Sequence, residues 1–129
     1  MAKSQMTLPL LEPRPDLTVS KAAIRAADFL GLTQSDLAEV LGLSRATASR
    51  LANGTYHLGP ARKREWEMAL LFIRMFRSLD ALLGHGSQAR TWLTGPNTAL
   101  GGRRPLDDIK TVEGLVQVVQ YLDAVRGKV

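Results

Sequence analysis

Residues 33–54 read TQSDLAEVLGLSRATASRLANG, with the apolar spacing of two short helices separated by a turn. Thr33, with Asp36 three positions later, resembles the capping box of a helix N-terminus. We expect Gly42 to end that helix, because the turn needs close approach of the backbone. Ser44 then caps a second short helix. Two short capped helices across a tight turn predict a helix-turn-helix motif.

The outer face of the second short helix has a composition suited to the major groove of DNA. Its apolar residues, Ala48 and Leu51, are expected to point inward, which leaves small and forked polar side chains outside. Arginine can bond the O6 and N7 of guanine as a bidentate pair, and polar residues at helix N-termini can bond phosphates. A helix face that is exposed to solvent and has no binding role more often carries Glu and Lys. The residues predicted to contact DNA are Gln34, Ser44, Arg45, Ala46, Thr47, Ser49 and Arg50.

The chain before this motif divides into an arm and a first helix. Residues 1–17 contain three of the six prolines, which favours an extended N-terminal arm. Thr18 or Ser20 can cap a first helix that runs to about Leu30. These features assign residues 18–59 to one DNA-binding domain.

Residues 60–129 are predicted to form a long helix followed by a helical module. Pro60 suits the first turn of a helix that continues to about Leu83, and apolar side chains cover most of its circumference. A chain of 129 residues has difficulty burying so much apolar surface alone, which favours a homodimer. The residues predicted to form the dimer interface are Met68, Leu71, Met75 and Leu82.

The rest of this region carries further helix signals. Ser87 can cap one short helix, Pro105 can start another, and Thr111 can cap a last helix. Gly101 and Gly102 are expected to form a turn that needs positive φ. Strand signals are absent, so the predicted fold class is all-α.

The charge of the chain favours a polyanionic partner. The formal net charge is +5, but residues 1–60 carry six Lys and Arg against five Asp and Glu, whereas residues 61–129 carry eleven against seven. The region that would contact DNA is therefore only weakly basic. Sequence-specific binding would depend on a few well-placed arginines.

The composition argues against an enzyme and against a membrane protein. The chain has no cysteine, and the spacing of His57 and His85 does not suit a metal site, so we expect no disulfide, metal or cofactor. No nucleophile elbow or glycine-rich phosphate loop is present, so we predict no catalysis and no small-molecule substrate. Prolines interrupt the N-terminal apolar stretch, and no run of about 18 apolar residues occurs, so we expect a cytoplasmic protein without membrane contact.

Residues 33–54 resemble the helix-turn-helix of the Xre family and of lambda-type phage repressors. In that family a glutamine at the start of the first motif helix contacts phosphate, and the cap and outer face of the next helix contact DNA. The resemblance implies these roles for Gln34 and for the residues from Ser44 to Arg50. Arg45 and Ala46 stand where many members have glutamines, so the operator sequence does not carry over.

Residues 89–106, ARTWLTGPNTALGGRRPL, are similar to the signature of the Xre/MbcA/ParS-type toxin-binding domain, and residues 111–115 and 122–127 resemble its closing helix. Members of this family are antitoxins encoded beside RES-domain toxins, which deplete NAD. They neutralise the toxin by complex formation and repress their own operon. The resemblance therefore implies two partners, a cognate RES-domain toxin and operator double-stranded DNA.

Within the C-terminal region we separate expected core residues from expected toxin contacts. The expected core residues are Trp92, Leu93, Leu100, Pro105 and Leu106. The arginine pair 103–104 is either a solvated charge pair or a contact with an acidic toxin surface. The basic end, residues 126–129, could enter a toxin cleft, although such ends are often only frayed. The predicted toxin contacts are Arg103, Arg104, Tyr121, Arg126, Lys128 and Val129.

Two functions remain open at this point. The first is an antitoxin that also represses its own operon. The alternative is a free-standing Xre-type repressor whose C-terminal half only dimerises. A RES-type toxin gene beside the gene for this chain would favour the antitoxin, because only an antitoxin needs that neighbour.

Overall fold

The computed structural model describes residues 13–128, and every regular element in this part of the chain is helical, as the predicted all-α class requires. The elements are α1 (Pro15–Leu30), α2 (Gln34–Leu41), α3 (Arg45–Asn53), α4 (Lys63–Leu83), α5 (Ser87–Thr94), a 3₁₀ turn (Thr98–Leu100), α6 (Pro105–Asp108) and α7 (Val112–Gly127). Residues 1–12 of the predicted arm and the predicted toxin contact Val129 lie outside the described residues. None of the described helices has the length and hydropathy to cross a bilayer.

The first helix begins earlier than predicted. Its first residue is Pro15, whose fixed φ suits a helix start, and Asp16 adds an acidic side chain to the first turn. Ser20 is not the cap, because its buried hydroxyl oxygen accepts a hydrogen bond of 2.9 Å from the backbone N–H of Leu58. The predicted arm of residues 1–17 is therefore too long at its C-terminal end. The serine instead fastens α1 to the segment that precedes α4.

The long helix begins later than predicted. Pro60 lies in a turn that is closed by a backbone hydrogen bond of 3.1 Å from Arg62 to Gly59, and α4 starts at Lys63. A proline suits the first turn of a helix, but it suits a preceding turn equally well, since both accept its fixed φ.

The core is built around α4, against which α1 packs on one side and α7 on another. The buried face of α4 carries Met68, Ala69, Phe72, Met75, Ser78 and Leu79. Met68 is 4% exposed and Met75 is fully buried, so the prediction that these two side chains meet a second chain is wrong. The other two predicted interface residues, Leu71 and Leu82, are half-buried at the edge of this core.

The C-terminal module follows α4 with short elements and tight turns. Gly101 and Gly102 have φ values of +73° and +81°, which confirms the predicted turn. Four of the five expected core residues are buried, whereas Trp92 is half-buried at the edge of α5. A glycine whose importance the sequence analysis missed is Gly114 in α7, because any side chain there would overlap the backbone carbonyl of Asp108. This glycine therefore lets α7 approach the turn after α6 closely.

Candidate DNA-binding face and partner-binding surface

The start of α2 is fixed by the predicted capping box. The Asp36 N–H donates to Thr33 Oγ1 at 3.0 Å, and the Thr33 N–H donates to Asp36 Oδ2 at 3.2 Å. These reciprocal bonds satisfy two backbone donors that a helix start leaves free. They place Gln34 at the first helical position, with its side chain exposed.

The turn between α2 and α3 needs its glycine for a different reason from the one predicted. Gly42 has φ of +73°, and the following N–H, of Leu43, donates to Ala38 O at 2.8 Å. A Cβ at Gly42 would meet no atom within 4 Å, so close approach of the backbone is not the cause. The left-handed conformation that ends α2 is what requires glycine.

The start of α3 is organised by Ser44. Its Oγ accepts a hydrogen bond from the Thr47 N–H at 3.1 Å and donates to Thr47 Oγ1 at 2.9 Å. Arg50 Nη2 donates to the same Thr47 oxygen at 3.1 Å. The threonine hydroxyl is therefore engaged within the helix. The guanidinium of Arg50 is held on the outer face one turn further on.

The predicted DNA contacts form one surface across the two helix starts. Six of the seven residues are exposed, and Thr47, whose hydroxyl is bonded to Ser44 and Arg50, is half-buried. Gln34 and Arg45 line the same shallow cleft together with Ser35. Ser35 was not among the predicted contacts, although its hydroxyl lies next to Gln34 in the first turn of the helix and its position was a usable signal. A cleft between two helix N-termini offers backbone N–H groups and a guanidinium, and both can donate hydrogen bonds to phosphate oxygens.

The two adjacent arginines of the C-terminal module each have an acidic partner in their own chain. Arg103 Nε donates to Asp108 Oδ1 at 2.8 Å, and Arg104 makes two hydrogen bonds of 2.9 Å with Asp107. Asp108 is nearly buried, and its second carboxylate oxygen has no hydrogen-bond partner among the described residues. Both arginines are exposed, so each keeps unused N–H donors.

Arg126 does not belong to a frayed end. It lies in the last turn of α7, and its Nη1 donates to the buried Ser78 Oγ at 3.1 Å. The Ser78 hydroxyl donates in turn to Asp123 Oδ1 at 3.1 Å, and Asp123 is also paired with Arg74. Arg74, Arg77 and Arg126 line one cleft together with Ser78 and Asp123.

Tyr121 lies beside an apolar cleft between α4, α5 and α7. Its ring stacks on Trp92 with the centroids 6.4 Å apart and the planes within 8°. Both rings are half-buried, so Trp92, which we expected in the core, lies at its edge. We refer to this site as the apolar cleft, which is lined by Leu79, Leu82, Leu83, Trp92, Tyr121, Leu122 and Val125.

One ion-pair group connects the C-terminal module to the helix-turn-helix. Lys110 Nζ lies 3.1 Å from Asp36 Oδ1 and 3.2 Å from Glu39 Oε1. Burial raises the pKa of Asp36, but hydrogen bonds from Lys110 and Thr33 lower it by more, so the net pKa is below its ordinary value. Burial lowers the pKa of Lys110, and the two carboxylates raise it by more. Both groups are therefore charged at neutral pH.

This arrangement defines a helix-turn-helix protein with a second, helical module that shares α4 with the first. The antitoxin Xre-like helix-turn-helix domain family matches residues 9–74, just over half of the chain. The antitoxin Xre/MbcA/ParS C-terminal toxin-binding domain matches residues 78–128. The chain therefore belongs to the Xre-like helix-turn-helix antitoxin family, and it is an antitoxin of a toxin–antitoxin system.

A solved structure has the same fold. The match is a chain in the crystal structure of the M. tuberculosis MbcT–MbcA toxin–antitoxin complex, with 23% identity and a TM-score of 0.65. The alignment covers 86% of this chain and 96% of that chain, so the shared fold spans both modules. The comparison with curated proteins gives no significant match.

Proposed function

We propose that this antitoxin neutralises a RES-domain toxin, which depletes NAD, by direct complex formation, and that it binds operator DNA to repress its own operon. The observation that carries the proposal is the union, in one chain, of an exposed arginine-bearing α3 and a match to a toxin-binding domain over residues 78–128. The RES class is supported by the similarity of residues 89–106 to the signature of antitoxins that accompany such toxins. We expect both activities in the cytoplasm.

The toxin surface that we propose combines the apolar cleft with charged residues of the C-terminal module. All residues of the apolar cleft lie within the stretch that matches the toxin-binding domain. Tryptophan, tyrosine and arginine are enriched among the residues that contribute most to binding in protein–protein interfaces. The proposed contacts remain those predicted from the sequence, namely Arg103, Arg104, Tyr121, Arg126, Lys128 and Val129.

The operator surface that we propose consists of the seven predicted residues of α2 and α3, together with Ser35. Arg45 and Arg50 would read base edges, while Gln34 and Ser44 would bond phosphates. A homodimer would place two copies of α3 on half-sites about one helical turn apart, or a multiple of that distance. Under this proposal residues 18–59 bind DNA, and residues 60–129 bind the toxin and the second copy.

Co-expression with the product of the adjacent gene tests the antitoxin half of the proposal. We expect the two proteins to co-purify and to keep cellular NAD at its normal level, whereas the toxin alone lowers NAD. A chain that does not retain the neighbouring protein, yet still shifts DNA from its own promoter, would instead be a free-standing repressor whose C-terminal half only dimerises. A matched variant, Tyr121→Ala, should weaken co-purification while leaving the DNA shift unchanged.

A further inference from the structure

A lysine of the toxin-binding module lies against the helix-turn-helix. Lys110 follows α6 and lies within the match to the toxin-binding domain, yet its ammonium is within 3.2 Å of carboxylates on α2. The side chains of Lys110 and Asp36 are only 22% and 21% exposed, so water screens this pair less than an open surface pair. The contact therefore crosses the boundary between the two modules.

The backbone that carries this lysine is well supported. Ile109, the preceding residue, is fully buried, and the Thr111 N–H donates to Asp108 O at 3.3 Å. Gly114 allows α7 to lie directly against the same turn. The Cα of Lys110 is thus held by a packed element, so that mainly the lysine side chain loses conformational freedom when the ion pairs form.

The carboxylates that Lys110 meets lie next to the proposed phosphate-binding position. Asp36 is two residues from Gln34 and belongs to the capping box that fixes the start of α2. Glu39 lies one turn further on and is exposed. Unpaired carboxylates at this distance would repel DNA phosphates and offset the attraction of the helix N-terminus for them. A cation between the carboxylates reduces that repulsion.

We propose that Lys110 is a positioning residue for operator binding: its single positive charge offsets part of the negative charge of Asp36 and Glu39, and it holds the start of α2 against the C-terminal module. A residue of the toxin-binding module thereby sets the strength of DNA binding. The inference rests on the proposed operator binding. It assigns Lys110 no contact with DNA bases.

The test measures the affinity of the full chain for a labelled duplex from the region upstream of its gene, and for a scrambled duplex of equal length. Lys110→Met should weaken binding to both duplexes about fivefold, the size expected for a partly shielded ion pair. The matched control is Lys21→Met, which removes an exposed lysine of α1 that has no ion pair among the described residues. The control should bind both duplexes within about twofold of the unmodified chain.

Two further variants separate charge neutralisation from a general loss of structure. Glu39→Gln should bind both duplexes about twofold more tightly than the unmodified chain, and the double variant Lys110→Met with Glu39→Gln should recover most of the lost affinity. Lys110→Arg should bind as the unmodified chain does. Glu39 is exposed, so its variant is expected to fold even if Lys110→Met does not.

The outcomes distinguish this inference from the proposed function. If the unmodified chain binds the upstream duplex no better than the scrambled one, operator binding itself is wrong, and the inference fails with it. If it binds specifically, and Lys110→Met and Glu39→Gln both leave affinity unchanged, only the role of Lys110 is wrong. Loss of affinity in Lys110→Met that Glu39→Gln fails to restore would also overturn the role.

Discussion

At the scale of single residues, α3 presents its arginines in an ordered way. Arg50 is exposed, but its hydrogen bond to Thr47 holds the guanidinium in place in the chain alone. Thr47 is in turn oriented by the Ser44 cap. A side chain that is held in place loses less rotamer freedom on binding, so this chain of bonds favours specific contact over loose attraction.

Arg50→Ala should weaken binding to the specific operator by about 1–3 kcal/mol, because a bidentate arginine–guanine pair contributes about that much discrimination. Gln34→Ala should instead weaken binding to operator and scrambled DNA alike, because a phosphate contact carries no base information. Gel-shift titrations of both variants against both duplexes measure the difference. An Arg50→Ala protein with native circular dichroism and unchanged operator affinity would remove Arg50 from the contacts.

The exposed positions of α3 were predictable, whereas the ion pairs of the C-terminal arginines were not. Helix caps and periodicity are local, so the sequence was enough to separate Arg45 and Arg50 from the inward Ala48 and Leu51. The pairing of Arg103 with Asp108 depends on the shape of the intervening turn and on the start of α6. No periodicity in the sequence encodes that turn.

At the scale of elements, α4 shows that the spacing of apolar residues predicts a buried helix but not what the helix packs against. Its apolar residues cover most of its circumference, as the sequence shows, but Met68 and Met75 were wrongly assigned to an interface with a second chain. The face that carries Met68 and Met75 is covered by α1 and α7 of the same chain. The helix α7 lies about forty residues further along the sequence, and contacts over such a distance leave no local pattern to detect.

The close approach of α7 to the turn after α6 gives a prediction about this element. Gly114→Ala should lower the free energy of unfolding by at least about 1–3 kcal/mol, because the added methyl group overlaps the carbonyl of Asp108. Gly127→Ala in the same helix is the matched control, since a Cβ there meets no atom within 4 Å. Its stability should be unchanged or raised by up to about 1 kcal/mol. Urea unfolding of both variants checks this, and equal stabilities would show that α7 is free to shift.

At the scale of the whole molecule, two modules share one core rather than being joined by a linker. The two family matches meet within α4, whose last turns also line the apolar cleft. The ion pairs of Lys110 with Asp36 and Glu39 further join the two modules. Division of the chain into modules was predictable from its motifs, but this shared core was not, because it arises from long-range packing.

We predict that the chain is a dimer in solution, although the reason differs from the one suggested by the sequence. Leu70 on α4 is 43% exposed and lies at helical spacing from the half-buried Trp66 and Ile73, so the three side chains form one partly exposed apolar stripe. A contiguous apolar stripe of this kind favours a second copy. Light scattering should give twice the mass of one chain, and Leu70→Asp should reduce it to that of one chain. Val112→Asp, at a similarly exposed apolar residue, is the control and should stay dimeric. A monomer at high micromolar concentration would contradict the prediction.

The most direct test is the double variant Arg45→Ala with Arg50→Ala, co-expressed with the adjacent toxin in cells that carry a reporter driven by the antitoxin's promoter. Both arginines are exposed on α3, so the variant should keep the C-terminal module intact. We predict that the reporter is fully derepressed while cells still survive toxin induction as they do with the unmodified antitoxin. Repression that persists in the variant, or cells that die although the variant is folded and abundant, would contradict the assignment of DNA binding to α3 and toxin binding to the C-terminal module.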